Sequence, residues 1–161
     1  MSVETFLGLG SNMGDRLRYL ELAVKVLKGI DPLLSVSPVY ETAPLGGPEP
    51  QNRYFNCVVR LESTLSARQL LEVAHGLEDL TGRIRTVRDG PRELDIDILL
   101  IGDLQITEPD LVVPHPRMSE RGFVLAPLED LDASRVPPSW RTRLAETDPA
   151  SLDVRRVGTL R

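Results

Sequence analysis

The stretch from Arg88 to Ile101 constrains this chain more than any other. Leu94, Ile96, Ile98 and Leu100 recur at every second residue, the period of a β-strand with one face in a core, so Asp95 and Asp97 share the opposite face. Same-face neighbours on a strand lie about 7 Å apart, a spacing at which two carboxylates share one hard cation or each hold one of a pair. Leu99 and Ile101 make that face partly apolar, and two like charges in such surroundings call for a cation between them. Gly90 and Pro91 punctuate the strand entrance, and Arg83, Arg85, Arg88 and Arg92 gather anion-binding groups beside it. Phosphate chemistry needs both: a metal to neutralise phosphate oxygens and guanidinium forks to hold them. The competing reading of an Asp-x-Asp pair is a solvated strand face, which explains neither the glycine-proline entrance nor the arginine cluster.

A length of 161 residues suits one domain able to bury a core without staples. The chain has no apolar run of membrane-spanning length, and Met1-Ser2-Val3-Glu4 is no basic leader, so a cytoplasmic location is expected, with no membrane partner. Cys57 is the single cysteine, which excludes an internal disulfide or a cysteine-built zinc site and suggests a small core residue. A net charge of -5 argues against a nucleic-acid partner. The local arginine cluster points instead to a small anionic ligand.

In chain order, Val3 to Leu9 alternate as a first strand that runs into the turn Gly8-Leu9-Gly10-Ser11-Asn12-Met13-Gly14-Asp15. Glycines at 8, 10 and 14 miss the dinucleotide-binding spacing, and no Gly-Lys-Ser/Thr follows for a P-loop. Gly8 and Gly10 can still admit a close approach to the backbone. Leu17, Leu20, Val24 and Leu27 then mark a helix face, with Asn12 or Asp15 as cap and Gly29 and Pro32 as stop. A second strand from Leu34 to Tyr40 is interrupted by Pro38, which favours an edge. The loop from Thr42 to Asn52 is rich in proline and glycine and has the length of a binding loop or lid.

Phe55, Cys57, Val59 and Leu61 give a third strand, with Tyr54 and Asn56 where the loop enters it. An aromatic ring beside an amide suits a flat heterocycle, since one stacks and the other donates and accepts; an ordinary hairpin junction is the alternative. Ser66 to Gln69 has the form of a capping box, and Leu70, Leu71, Ala74 and Leu77 line a second helix ending near Thr81. His75 reads as a surface residue of that helix. After the Asp-x-Asp strand come a turn at Gly102-Asp103 and a short strand at Leu104 to Ile106. His115 stands between two prolines, as a placed histidine near a phosphate site or as a turn residue. Phe123 to Leu131 is expected to be a helix turning Leu125 and Leu128 inward, and residues 132–161 form a proline-containing extension without clear period. The order β-α-β-β-α-β predicts a ferredoxin-like α+β sandwich, a single domain over 1–161 with two helices on one face of a four-stranded sheet and a C-terminal extension. Its first and fourth strands lie side by side.

Five short motifs then carry a resemblance: Gly8-Leu9-Gly10-Ser11-Asn12, Tyr40 to Gly46, Tyr54-Phe55-Asn56, Gly90 to Asp97, and Pro114 to Met118 with Arg121-Gly122-Phe123. In this order and spacing the chain resembles the 6-hydroxymethyl-7,8-dihydropterin pyrophosphokinases of folate synthesis. The resemblance implies pyrophosphoryl transfer from MgATP to a pterin hydroxymethyl group, leaving AMP, by a monomer acting on small molecules. It implies that Asp95 and Asp97 hold two magnesium ions, with Arg83 and Arg92 as further catalytic groups. Tyr54 and Phe123 would sandwich the pterin, while Asn56 and the groups of Thr42, Pro44 and Leu45 read its edge. Glu78, Arg88, Arg92, Ile98, His115 and Arg121 would serve ATP. Two long loops would close over both substrates. Asp89, Asp110 and Val112 depart from the family's usual pattern. A ligand-binding module without chemistry and an RNA-binding domain are the competing classes; an aromatic content of 4% speaks against the latter.

Overall fold

β1 (Val3–Ser11) is flanked on both sides, by β4 (Tyr54–Ser63) along its whole length and by β5 (Asp95–Ile101) on its other edge, both antiparallel. β2 (Leu33–Val36) and β3 (Val39–Thr42) pair with the far edge of β4, and β8 (Val154–Gly158) pairs with β3. The six-stranded antiparallel sheet thus runs β5-β1-β4-β3-β8, with β2 beside β4. β6 (Ile106–Glu108) and β7 (Leu111–Val113) form a separate hairpin. The computed structural model describes residues 1–44, 51–81 and 93–160.

α1 (Arg16–Ile30) and α2 (Ala67–Leu80) cover one sheet face. Leu20, Ala23 and Leu27 of α1 and Leu70, Ala74 and Leu77 of α2 pack there with Leu7, Leu9, Cys57, Val59, Leu61, Ile96 and Ile98. Leu17, expected on the buried stripe of α1, is 41% exposed; the stripe passes through Ala23 instead, whose small side chain carries little hydrophobic signal. Asp15 is the α1 cap, accepting from Arg18 N at 3.2 Å. Asn12 instead donates to Gln51 Oε1 and Asn52 O, each at 3.2 Å.

Besides the turn expected from Gly8, whose residues through Ser11 belong to strand β1, three expectations need correction. Pro38 lies between β2 and β3 rather than within an edge strand, and β3 is an interior strand covered by β8. Ser37 bridges the gap, donating its N–H to Val58 O and accepting from Val58 N through Oγ, both at 2.9 Å, so the proline interrupts the ladder without unpairing β4. Second, the alternation of β5 stops at a bulge. Phe6 faces Leu100 while Leu7 faces Ile98, which leaves Leu99 as an extra residue. Leu99 and Leu100 therefore both join the far layer, and Ile101 returns to the α1–α2 layer. Third, the second sheet face is also covered by helices: α3 (Gly122–Leu131) and α4 (Trp140–Thr147) bury Leu125, Leu128, Trp140 and Leu144 against Phe6, Tyr40, Val58 and Leu99. The extension after Asp132 thus contributes a helix and a strand to the body of the fold. Among the described residues, no helix is long and apolar enough to cross a membrane.

The capping box of α2 is complete: Ser66 Oγ accepts from Gln69 N, and Gln69 Oε1 accepts from Ser66 N. Ser66→Ala should destabilise the protein by about 1 kcal/mol, the usual worth of such a cap. Urea unfolding measures this, and an unchanged midpoint would contradict the assignment.

Candidate active site

Antiparallel register decides which side chains stand abreast on a sheet face. Asn56, Gly10 and Asp95 are direct partners across β4, β1 and β5, and Val58, Gly8 and Asp97 form the next row. The central strand therefore has no side chain between the amide and the carboxylate. Above this floor lies a cavity of about 280 Å³, walled by Thr42, Ala43 and Pro44 at the end of β3, by Tyr54 and Asn56 of β4, by Asp95 and Asp97, and by His115, Arg121 and Phe123. A Cβ on Gly10 would stand 2.6 Å from Asn56 Oδ1, so the glycine is what leaves room for the amide beside β1. Asn56 Nδ2 donates to Thr42 Oγ1 at 2.7 Å in a buried bond, which fixes the orientation of the amide.

His115 is held by three contacts. Its N–H donates to Leu99 O at 3.0 Å, Nδ1 accepts from Arg117 N at 3.3 Å, and Nε2 lies 3.8 Å from Asp97 Oδ1. With Nδ1 accepting, the ring proton belongs on Nε2, directed toward the Asp97 side. Burial, reinforced by the charge of Arg121, pushes the imidazole down to about 4 against a smaller upward pull from Asp95. The ring is accordingly a neutral donor near pH 7.

Asp95, Asp97 and His115 also line a second cavity of about 350 Å³, between α2 and the β6–β7 hairpin. Leu71, His75, Glu78, Ile98 and the residues from Pro109 to Val112 complete its wall. Glu78 is buried and its Oε1 accepts from Ile96 N at 3.3 Å, tying α2 to β5. Arg68 forks onto Asp110 at 2.7 and 2.8 Å and also holds Glu108, which joins the hairpin to α2 and keeps the Asp110 carboxyl below its usual range. The two carboxylates of β5 thus stand where two chambers meet.

Thr42, Pro44, Tyr54, Asn56, Asp95, Asp97, His115, Arg121 and Phe123, anticipated from sequence, come together around the first cavity, and Glu78 and Ile98 belong to the second. Leu45, Arg83, Arg88 and Arg92, with most of both long loops, lie outside the described residues. Leu71 and His75 were not anticipated as lining residues; an exposed histidine on a helix gives no sequence signal of the hairpin that will face it. Cys57 is a core residue whose thiol burial pushes up to about 12, so it is no nucleophile. Among the described residues, no group of three or more His, Cys, Asp or Glu side chains is placed to hold a metal ion.

A family model described as 7,8-dihydro-6-hydroxymethylpterin-pyrophosphokinase (HPPK) matches residues 6–133. The chain is 44% identical over 128 residues to the 2-amino-4-hydroxy-6-hydroxymethyldihydropteridine pyrophosphokinase of Bacillus subtilis, covering 78% of this chain and 76% of that protein. To the enzyme of the same name from Aquifex aeolicus it is 37% identical over 144 residues, 89% of each chain. A solved HPPK-DHPS of Plasmodium falciparum, with pterin and p-hydroxybenzoate, shares the fold at a TM-score of 0.74 and 14% identity, over 97% of this chain and 46% of that one. This chain thus spans just under half the length of that solved protein.

The burial of His115 is open to a direct check. Its ring resonances in the metal-free, substrate-free protein should titrate with a midpoint near 4, followed by proton NMR. A midpoint at the ordinary histidine value would contradict the packing described.

Proposed function

This chain belongs to the 7,8-dihydro-6-hydroxymethylpterin-pyrophosphokinase family, and from that premise we propose how its residues share the reaction. The enzyme is a transferase of folate biosynthesis that moves a pyrophosphoryl group from ATP to the hydroxymethyl oxygen of 6-hydroxymethyl-7,8-dihydropterin. The observation that carries the assignment of roles is the pair Asp95 and Asp97, common to two adjoining chambers. One chamber is lined by aromatic rings and a fixed amide, the other by α2 and the hairpin.

In this reading the pterin occupies the first chamber, its ring between Tyr54 and Phe123. Asn56, oriented by Thr42, and the groups of Thr42, Pro44 and Leu45 pair with the donor and acceptor edge of the heterocycle. ATP occupies the second chamber beside Glu78 and Ile98, and its phosphates reach the junction, where His115 donates from a neutral ring and Arg121 supplies charge. Arg83, Arg88 and Arg92 complete the grip on the phosphates. The hydroxyl oxygen bonds to the β-phosphorus as the bond from that phosphorus to the α,β-bridging oxygen breaks; the hydroxyl proton is released to solvent and AMP leaves. Positioning and charge neutralisation are the main demands of such a transfer.

Asp95 and Asp97 offer oxygen donors alone, a set suited to Mg²⁺, which usually takes one or two protein carboxylates and completes its shell with phosphate oxygens and water. We assign both to magnesium, two ions in all, whose contribution is to neutralise phosphate charge as it shifts toward the leaving group. The order β5-β1-β4-β3 with α1 and α2 on one face supports a ferredoxin-like core. The whole chain is read as one monomeric pyrophosphokinase domain.

Mixing the protein with ATP, magnesium and 6-hydroxymethyl-7,8-dihydropterin should release AMP only when all three are present; ADP in its place would refute pyrophosphoryl transfer. Asp95→Asn and Asp97→Asn should each lower turnover by on the order of a hundredfold or more, as loss of a transition-state charge contact does, with pterin affinity near wild type. Wild-type turnover in both would remove the metal assignment. Gly10→Ala should displace the Asn56 amide and weaken pterin binding about tenfold, the scale of one lost hydrogen bond to a ligand, while circular dichroism shows a folded protein. Unchanged pterin fluorescence titration in that variant would place the heterocycle elsewhere.

A further inference from the structure

α3 begins without a cap of its own. The first N–H groups of a helix have no intrahelical acceptor, and a short polar side chain at the N-cap ordinarily supplies one. α1 and α2 follow that rule through Asp15 and Ser66. The N-cap of α3 is Arg121, whose side chain makes no capping hydrogen bond and instead lines the first cavity. A guanidinium has only donors and cannot accept from a backbone N–H.

The acceptor comes from elsewhere in the chain. Ser151 Oγ accepts from Gly122 N at 2.8 Å and donates to Glu120 O at 3.2 Å, so one hydroxyl closes both sides of the turn that carries Arg121. Ser151 is 3% exposed. Its backbone lies as close as its side chain: a Cβ on Gly122 would stand 1.9 Å from Ser151 O, so position 122 must be glycine for this segment to seat. Two residues further on, Asp153 receives a two-pronged bond from Arg53 at 2.8 and 2.9 Å, and Val154 pairs with Thr42. The segment therefore fastens the Arg121–Phe123 wall of the cavity to the wall formed by Thr42 and Tyr54.

We infer that Ser151 is a positioning residue for the pterin chamber, a remote helix cap that leaves position 121 free to place a guanidinium in the cavity. The inference rests on the pterin reading of that chamber, and it concerns a residue beyond the 6–133 stretch matched by the family model. Ser151 acts through Gly122 on the placement of Arg121 and Phe123, so its loss shifts the ring wall without touching the carboxylates of β5.

Steady-state kinetics of Ser151→Ala, with AMP as the product followed, separates this role from a merely structural one. A variant that only folds less well contains less active enzyme, which lowers the apparent kcat and leaves both KM values alone. Misplacement of Phe123 should raise KM for the pterin about tenfold, the scale of one lost cap or ligand contact, and misplacement of Arg121, which meets the phosphates at the junction, should raise KM for ATP as well. Pterin binding followed by its fluorescence in the absence of ATP should weaken in parallel. An unchanged pterin KM in folded Ser151→Ala overturns the inference. Should that variant fail to fold, Ser151→Cys, of similar size but with a sulfur that is only a weak acceptor, decides the matter: pterin KM should rise without loss of fold, and a wild-type value overturns the proposal. Absence of AMP formation by the wild-type enzyme is a different result, and refutes the parent reading instead.

Discussion

Gly10 lies between Asn56 and Asp95 on adjacent strands, and any side chain there would collide with the Asn56 amide. Much else follows from this bare stretch of central strand. A sheet face covered by α3 and α4 would ordinarily be filled with apolar side chains, as it is around Phe6, Val58 and Leu99. Where β1 carries Gly8 and Gly10 instead, the packing opens into a cavity with an amide on one side and two carboxylates on the other. The apolar layer and the polar site are two ends of one surface, and the packed end holds the strands that keep the polar end in register.

Electrostatics divides the site in a similarly local way. The carboxylates of β5 face two chambers at once, while His115 is kept neutral by burial and by Arg121. A neutral donor beside a carboxylate pair adds no proton equilibrium near pH 7, so the charge at the junction comes from the two carboxylates and Arg121. The Arg68 fork onto Asp110 and Glu108 lies at the outer wall of the second chamber. Being exposed, it contributes to placing the hairpin more than to stability.

How much of this was legible in the sequence depended on how far each feature relies on distant partners. The alternation through Leu94, Ile96 and Ile98 is a property of one strand, and the pairing of Asp95 with Asp97 on one face followed from it directly. The bulge at Leu99 is a property of two strands, since it exists only in the register of β5 against β1; alternation alone carried Leu100 to the wrong layer. Tyr54 and Asn56 suggest a heterocycle by chemical type and leave a hairpin junction open; that both reach the wall of one cavity depends on strand register, which their types do not carry. The C-terminal region gave least. α4 offers the buried pair Trp140 and Leu144, while β8 is a short strand with mostly exposed side chains, so neither shows a period. The roles of this region come from what it meets: β8 pairs with Tyr40 and Thr42 of β3, and Ser151, between α4 and β8, meets Gly122 at the head of α3.

The arrangement of two substrates about one carboxylate pair is tested most directly by a crystal structure of the protein with magnesium, a non-hydrolysable ATP analogue and 6-hydroxymethyl-7,8-dihydropterin. The expected result is the pterin ring between Tyr54 and Phe123 with its edge on Asn56, the nucleotide between α2 and the β6–β7 hairpin, and metal density on both Asp95 and Asp97. A pterin outside the first chamber, or a nucleotide whose phosphates do not reach Asp95 and Asp97, would contradict it.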